Sequence, residues 1–455
     1  KACLFPRARE SVSWEVDSDS DVILDGFTLR HSSHYQVHTY DSFVLNITTS
    51  GDIEITDSEI NSDYHCGTIS NCKIYTNYGH SYGDAPYRYA YFNLSGSDIS
   101  LEGSNVLVGS RIDSSLGGSN NQDNITSYFS IQGDSLEVSD STLESHAYSW
   151  NEESNSIYDR HSEAEMIFDI AGSSIFRDSE LTVQSMEHTN RSDDYFMADS
   201  SMKITSSSLY SYDTDFSSYR WTRYGEESID FDISGHAKYE DSNIISREFS
   251  ADYGSLDMDG TKITGDFKGH NGVKRYSESF DVDITSTGDF TIDNSSIYSI
   301  GGLKVYGNNY YYFTFSIETT GDIHIANTSI NSTFYRGSLI HLEAGNITIK
   351  DSILRAGTET SASGENDNSN VDDLKSRIEL SSEGEILVDG SDLVSFSRMN
   401  NTSTDNNRDR RVFSYIVIDG DGIELVDSKL LAKSDNRANH YPADHNWGSY
   451  QSINI

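Results

Sequence analysis

An eight-residue pattern of apolar and polar positions recurs along almost the whole chain. It reads apolar, any, apolar, any, then Asp, Asn, Gly or Ser, then Ser, Thr or a substitute, any, apolar. Thirteen copies begin at positions 22, 53, 99, 136, 174, 202, 237, 256, 290, 323, 347, 386 and 423. The copy at 174 is poor, because Ser174 occupies its first apolar position. A unit repeated at such spacings predicts a solenoid.

Apolar and polar residues alternate inside each copy, which is the period of a β-strand and not of a helix. A second alternating run, such as residues 43–47, precedes most copies, and a turn such as Gly51 followed by Asp52 separates the two runs. Gly and Asp favour turns because they tolerate or cap left-handed backbone geometry. The clearest copies define the predicted repeat core: Ile53, Ile55, Ile60, Phe290, Ile292, Ile297, Ile323, Ile325 and Ile330.

One coil therefore consists of a strand, a Gly-Asp turn, a short strand, an Asp-Ser corner, a second short strand and a variable loop. Stacked coils predict an all-β protein, a single parallel β-helix (β-solenoid) of about 13 coils with long irregular loops. The predicted solenoid runs without a linker through residues 13–432. Residues 1–12 form a basic N-terminal arm, and residues 433–455 form a C-terminal segment that supplies a further strand or an interface. No helical cap is evident at either end.

The charge of the chain restricts its partners. It carries 73 acidic and 32 basic residues, for a net charge of −41. Nucleic acid and anionic membrane surfaces both require a basic face, so neither is expected as a partner. No apolar run is long enough to span a membrane. The start at Lys1 in place of Met predicts a processed, exported protein of the cell envelope or cell surface.

The three cysteines, Cys3, Cys66 and Cys72, are an odd number. In an oxidising compartment an odd cysteine points to a bond with another chain. Either Cys66 bonds to Cys72 and Cys3 reaches a neighbouring subunit, or Cys3 bonds to the loop of an adjacent subunit. The third alternative is that all three are thiols without a role in assembly.

No motif predicts catalysis. Asp and Glu lie at the turns of most coils and do not form one isolated pair, so we expect no enzymatic activity. Asp17, Asp19 and Asp21 resemble the start of a calcium loop, but they lack the Gly at its sixth position and the Glu at its twelfth. Calcium, bound loosely at such carboxylates, is the one cofactor that the sequence leaves as an alternative.

Aromatic residues cluster in two predicted loops, one with Trp150 and one with Trp221 and Tyr224. Such clusters stack on sugars, bury at protein interfaces or pack on their own solenoid. Ten Asn-x-Ser/Thr sequons occur. Because this number is close to the number expected by chance from the Asn, Ser and Thr content, the sequons permit glycosylation without indicating it. The candidate acceptors are Asn46, Asn93, Asn124, Asn294 and Asn346.

The repeat, exemplified by residues 53–60, resembles that of parallel β-helix and β-solenoid surface proteins. With the acidic composition and the three cysteines, the chain is also similar to the archaeal cell-sheath proteins, whose subunits are amyloid-like β-stacks joined into hoops and tubes. That resemblance implies a self-assembling homopolymer that forms a sheath, filament or surface layer by β-stacking and inter-subunit disulfides. The alternatives are an adhesin or glycan-binding surface protein, and a polysaccharide lyase or hydrolase.

Overall fold

The computed structural model describes residues 11–30, 41–61, 87–114, 124–151, 160–189, 196–221, 225–266, 277–300, 310–334, 337–362, 373–401, 411–438 and 448–455. These residues form β-strands, turns and bends, and none of them is helical. Each coil contributes a long strand, a short strand and a return strand. The predicted all-β, parallel β-solenoid fold is therefore confirmed.

The chain divides into two compact units. The first comprises Lys1–Ser207 and Thr214–Ser228. Its strands, coil by coil, are β1 (Ser11–Ser18), β2 (Val22–Asp25), β3 (Thr28–Arg30); β4 (Asp41–Thr49), β5 (Ile53–Thr56), β6 (Glu59–Asn61); β7 (Tyr87–Ser95), β8 (Asp98–Glu102), β9 (Asn105–Ser114); β10 (Asn124–Gly133), β11 (Ser135–Ser139), β12 (Thr142–Asn151); β13 (Arg160–Ile170), β14 (Ser173–Arg177), β15 (Glu180–Thr189); and β16 (Phe196–Ser206), to which β18 (Asp215–Trp221) belongs.

The second unit comprises Ser208–Asp213 and Ile229–Ile455. Its strands are β17 (Ser208–Tyr212); β19 (Glu227–Glu240, whose first two residues lie in the first unit), β20 (Asn243–Ile245); β21 (Glu248–Asp259), β22 (Lys262–Asp266); β23 (Ser277–Ser286), β24 (Phe290–Asp293), β25 (Ser296–Ile300); β26 (Tyr310–Thr319), β27 (Ile323–Ala326), β28 (Ser329–Phe334); β29 (Gly337–Ala344), β30 (Ile347–Lys350), β31 (Ile353–Ala362); β32 (Asp373–Ser382), β33 (Glu385–Asp389), β34 (Asp392–Asn401); β35 (Arg411–Asp419), β36 (Gly422–Val426), β37 (Lys429–Ala438); and β38 (Gly448–Asn454). In β19 and β21 the long and short strands are continuous.

Strands of the same kind pair in parallel from one coil to the next within each unit. The short strands align Ile53 of β5 with Ile99 of β8, and in the second unit Ile323 of β27 with Ile347 of β30. The return strands align Ile60 with Val106 in the same way. Because the register is in phase, inward positions lie above inward positions.

The interior of each unit is a column of apolar side chains flanked by the three strands of each coil. All nine predicted core residues are at most 1% exposed: Ile53, Ile55, Ile60, Phe290, Ile292, Ile297, Ile323, Ile325 and Ile330. Aromatic rings stack along the column, as for Phe92 and Phe129, whose centroids are 4.7 Å apart. This repeated burial on two-residue spacing lets a chain of low apolar content build an apolar core.

One predicted copy was assigned to the wrong strand. The copy at 202 lies in the long strand β16, where Met202 aligns with Met166 of β13. The short strand of that coil is β17, in which Leu209 aligns with Ala237. The copy at 174 is correctly placed, because Ser174 aligns with Leu136. Its buried hydroxyl donates to the Ser206 Oγ at 3.1 Å.

Candidate functional site

The corner after each described short strand depends on a left-handed residue at the fifth repeat position. Such a residue has φ between 44° and 61° in each of the thirteen corners that the structure describes. Only Gly, Asp and Asn reach this region at low cost, which explains the restriction in the sequence. These residues are Gly26, Asp57, Gly103, Asp140, Asp178, Asp213, Asp241, Gly260, Asn294, Asn327, Asp351, Gly390 and Asp427.

The sixth repeat position builds a ladder of buried hydroxyls. Ser104 Oγ accepts the backbone N–H of Ser58 in the preceding coil at 3.2 Å and donates to the Glu102 carbonyl at 2.9 Å. Ser104 in turn donates its own N–H to the Ser141 Oγ at 3.0 Å. An equivalent ladder in the second unit runs through Thr261, Ser295, Thr328, Ser352, Ser391 and Ser428. These hydroxyls satisfy backbone groups that a tight corner leaves unpaired.

The Gly-Asp turns form a second ladder, in which a carboxylate or amide caps the next coil. Asp21 Oδ1 accepts the backbone N–H of Asp52 at 3.0 Å, and Asp52 Oδ1 accepts that of Asp98 at 3.2 Å. In the second unit Asn346 accepts from the N–H of Glu385 at 2.8 Å. Asp21, one of the three candidate calcium ligands, thus has a structural partner.

Within the described residues, no group of three or more His, Cys, Asp or Glu side chains is arranged to hold a metal ion. Asp17 and Asp19 are exposed and lie with Asp21 in the first coil. A helix able to cross a membrane is likewise absent from the described part of the chain.

Several candidate glycosylation sites take part in amide contacts between coils. Asn93 Nδ2 donates to Asn46 Oδ1 at 2.8 Å, and Asn294 Nδ2 donates to Asp259 Oδ1 at 3.0 Å. Asn346 Nδ2 donates to Asp322 Oδ1 at 2.9 Å. The side chain of Asn124 lies outside the described set.

The aromatic residues predicted to lie in loops belong mostly to strands, so that expectation was wrong. Trp150 is in β12 and Trp221 is in β18. Both strands belong to the sheet of return strands, where Trp150 aligns with His188 and Trp221 with Met186. The side chains of these two tryptophans lie outside the described set. Tyr224 and the three cysteines, Cys3, Cys66 and Cys72, also lie outside the described residues.

Apolar side chains at inward positions reach solvent in the first described strands of the first unit and in the last described strands of the second unit. Trp14 of β1 is 47% exposed, although its register partner Leu45 is 3% exposed. In the last described strands, Leu425 of β36 is 39% exposed and Ile453 of β38 is 42% exposed. Among the described strands, β1, β2 and β3 pair only with β4, β5 and β6, and β36, β37 and β38 pair only with β33, β34 and β35. We call these the first edge (β1–β3) and the last edge (β36–β38).

A cluster of polar and aromatic side chains covers the outer face of the long strands in the first unit. His161 Nε2 and Asp199 Oδ2 are 2.6 Å apart, and Asp199 Oδ1 also accepts the N–H of Glu226 at 2.6 Å. The hydrogen bond to Asp199 raises the pKa of His161 above its ordinary value, against the opposing effect of burial. Burial alone would raise the pKa of Asp199, but the hydrogen bonds from His161 and Glu226 hold it below its ordinary value.

The equivalent face of the second unit carries aromatic and basic residues. The rings of Phe413 and Tyr450 stack with centroids 5.0 Å apart and 14° between planes. Lys375 Nζ lies 6.0 Å from the Phe413 centroid, and the Arg411 guanidinium lies 5.8 Å from it. Sequence reasoning missed both faces, because their residues come from different coils.

These surfaces can bind partners through strand pairing, aromatic stacking and ion pairing. Comparison with protein-family models, with curated proteins and with solved structures found no match to this chain.

Proposed function

We propose that the protein is a self-assembling extracellular structural subunit, which forms a sheath, filament or surface layer by β-stacking between copies. The observation that carries the proposal is the exposed apolar column at the first and last edges. Trp14, Leu425 and Ile453 occupy inward positions, yet each is more than a third exposed. A further coil would cover these side chains and pair the edge strands, and in the proposed assembly a second copy supplies it.

The ladders support a mechanical role. The corner hydroxyls and the turn carboxylates each bond to the neighbouring coil, so the coils that carry them present similar acceptors and donors to the next coil. Such a surface is complementary to a copy of itself. In the proposed assembly, disulfides through Cys3, Cys66 and Cys72 then join the stacked subunits covalently.

Negative-stain electron microscopy of the unreduced protein, with a reduced sample beside it, tests the proposal. We expect hoops, tubes, filaments or sheets that loosen on reduction. Assemblies that are unchanged by reductant would contradict the role of the disulfides and support the β-stacking. Isolated particles under both conditions, at any salt concentration, would contradict the proposal.

Edge variants test the carrying observation directly. Trp14→Lys and Ile453→Lys place a charge on the apolar column at one edge and should abolish assembly. The matched control is Ile353→Lys, because Ile353 is 48% exposed but lies on the outer face of β31, away from both edges. Circular dichroism establishes that each variant is folded. Assembly that survives both edge variants would refute edge-to-edge stacking.

A further inference from the structure

Two rows of outward-facing side chains cross β7, β10 and β13 in the first unit. The first row aligns Tyr91, Tyr128 and Glu165, and the second aligns Tyr89, Thr126 and Glu163. Neighbouring strands of a sheet lie about 4.8 Å apart. The six residues therefore make a straight strip in which aromatic rings on two coils are followed by carboxylates on the third. We call it the Tyr–Glu strip.

The tyrosines of the strip form a continuous aromatic surface that solvent reaches. The centroids of Tyr89 and Tyr91 are 5.2 Å apart, and those of Tyr91 and Tyr128 are 5.6 Å apart. Tyr89 is 37% exposed and Tyr91 is 36% exposed. An exposed aromatic ring offers an apolar face to a ligand, and it attracts a cation placed over that face.

No ion pair joins Glu163 or Glu165 to a lysine or arginine whose side chain the structure describes. His161 acts electrostatically on Glu163, but its hydrogen bond goes to Asp199. Burial, and then the negative charge of Glu163, raise the pKa of Glu165 above its ordinary value. A ligand that brings positive charge to this place would remove that repulsion.

We propose that the Tyr–Glu strip binds a cationic amino-sugar chain. A hexosamine ring has an apolar face, which stacks on tyrosine, and an ammonium group, which pairs with a carboxylate one coil away. Charge complementarity selects this ligand over uronate or sulfated polysaccharides, because Glu163 and Glu165 repel anions. The straight rows fit an extended chain. The site goes beyond the proposed structural role and does not depend on assembly.

Isothermal titration calorimetry with fully deacetylated glucosamine oligomers tests the proposal, with N-acetylated oligomers as the uncharged comparison. We expect the deacetylated oligomers to bind and the acetylated ones to bind about tenfold more weakly or not at all. Tyr91→Ala and Glu165→Gln should each weaken binding by about tenfold. Tyr91→Phe should retain most of it, because the ring remains.

The control separates specific binding from general attraction to an acidic protein. Glu102 is exposed on the short strand β8 of the same unit, so Glu102→Gln removes an equal charge away from the strip. It should leave binding unchanged. The proposal is overturned if the oligomers do not bind, or if Glu102→Gln weakens binding as much as Glu165→Gln. Oligolysine that binds as tightly as the sugar oligomers, and that depends on the strip residues in the same way, would identify a basic peptide as the ligand and would also overturn the proposal.

Discussion

Replacing Ser352 by Ala tests whether the corner hydroxyls hold the coils together. Ser352 is 2% exposed, its Oγ accepts the N–H of Thr328 at 3.1 Å, and it donates to the Lys350 carbonyl at 2.7 Å. That carbonyl also accepts the N–H of Asn327 at 3.1 Å, so it keeps a partner in Ser352→Ala. The Thr328 N–H instead loses its acceptor inside the protein.

The cost follows from this accounting. An unsatisfied buried donor costs about 1–3 kcal/mol, and the hydrogen bond donated to the carbonyl contributes about 1 kcal/mol. We therefore expect Ser352→Ala to lower the local free energy of opening by about 2–4 kcal/mol. That change corresponds to roughly 30- to 900-fold faster amide exchange.

Hydrogen exchange followed by mass spectrometry on peptides covering β27 and β30 measures the effect. Local exchange suits a solenoid, because each coil contacts mainly its neighbours and global unfolding is not two-state. Ser352→Thr is the conservative control, since Thr328 fills the same ladder position with a threonine hydroxyl. Thr348→Ala removes a hydroxyl from the outer face of β30 and should have little effect. Exchange that rises equally in Ser352→Ala and Thr348→Ala would refute the reasoning.

Further predictions concern backbone strain, pH and salt. Gly103→Ala should lower the thermal unfolding temperature, because φ is +58° and the new Cβ would lie 2.7 Å from an aspartate of the preceding coil; left-handed backbone alone costs about 1–2 kcal/mol. Burial raises the pKa of Tyr239 and Tyr253, whose hydroxyls are 2.9 Å apart. Because the fold favours their protonated forms, stability should fall as pH rises above about 10, and ultraviolet titration should show both ionising only on unfolding. The raised pKa of His161 and the lowered pKa of Asp199 make their pair most stabilising between the ordinary values of 3.8 and 6.5. That stability is lost as pH rises through the raised pKa of His161 or falls through the lowered pKa of Asp199. In a series of denaturation experiments at different pH, His161→Gln should therefore destabilise the protein most at about pH 5, near the middle of this window. The proposed assembly, followed by light scattering, should become faster as salt is added, because the electrostatic screening length falls from about 30 Å at 0.01 M to about 3 Å at 1 M. An assembly rate that falls with salt would contradict stacking limited by like-charge repulsion.

The repeat made the fold predictable because its signals are local. Period-two alternation assigns inward positions, and the fifth position demands a residue that tolerates left-handed backbone, as Asp57 and Asn294 do with φ of 47° and 48°. These constraints act within eight residues, so the plan of the coil and the buried repeat core could be predicted from the sequence. The same local pattern failed at Met202, because an alternating long strand followed by serines resembles a short strand and its corner.

Which coils' side chains share a surface could not be predicted from the sequence and follows from the stacking of the strands. Tyr91, Tyr128 and Glu165 are each 37 residues from the next along the chain, yet they align on adjacent strands. Similarly, Trp150 lies in a return strand whose length the pattern does not specify. Loops and return strands differ in length from coil to coil, so lateral register follows from the stacking of whole coils. That register depends on backbone hydrogen bonds between distant segments, which no local pattern records.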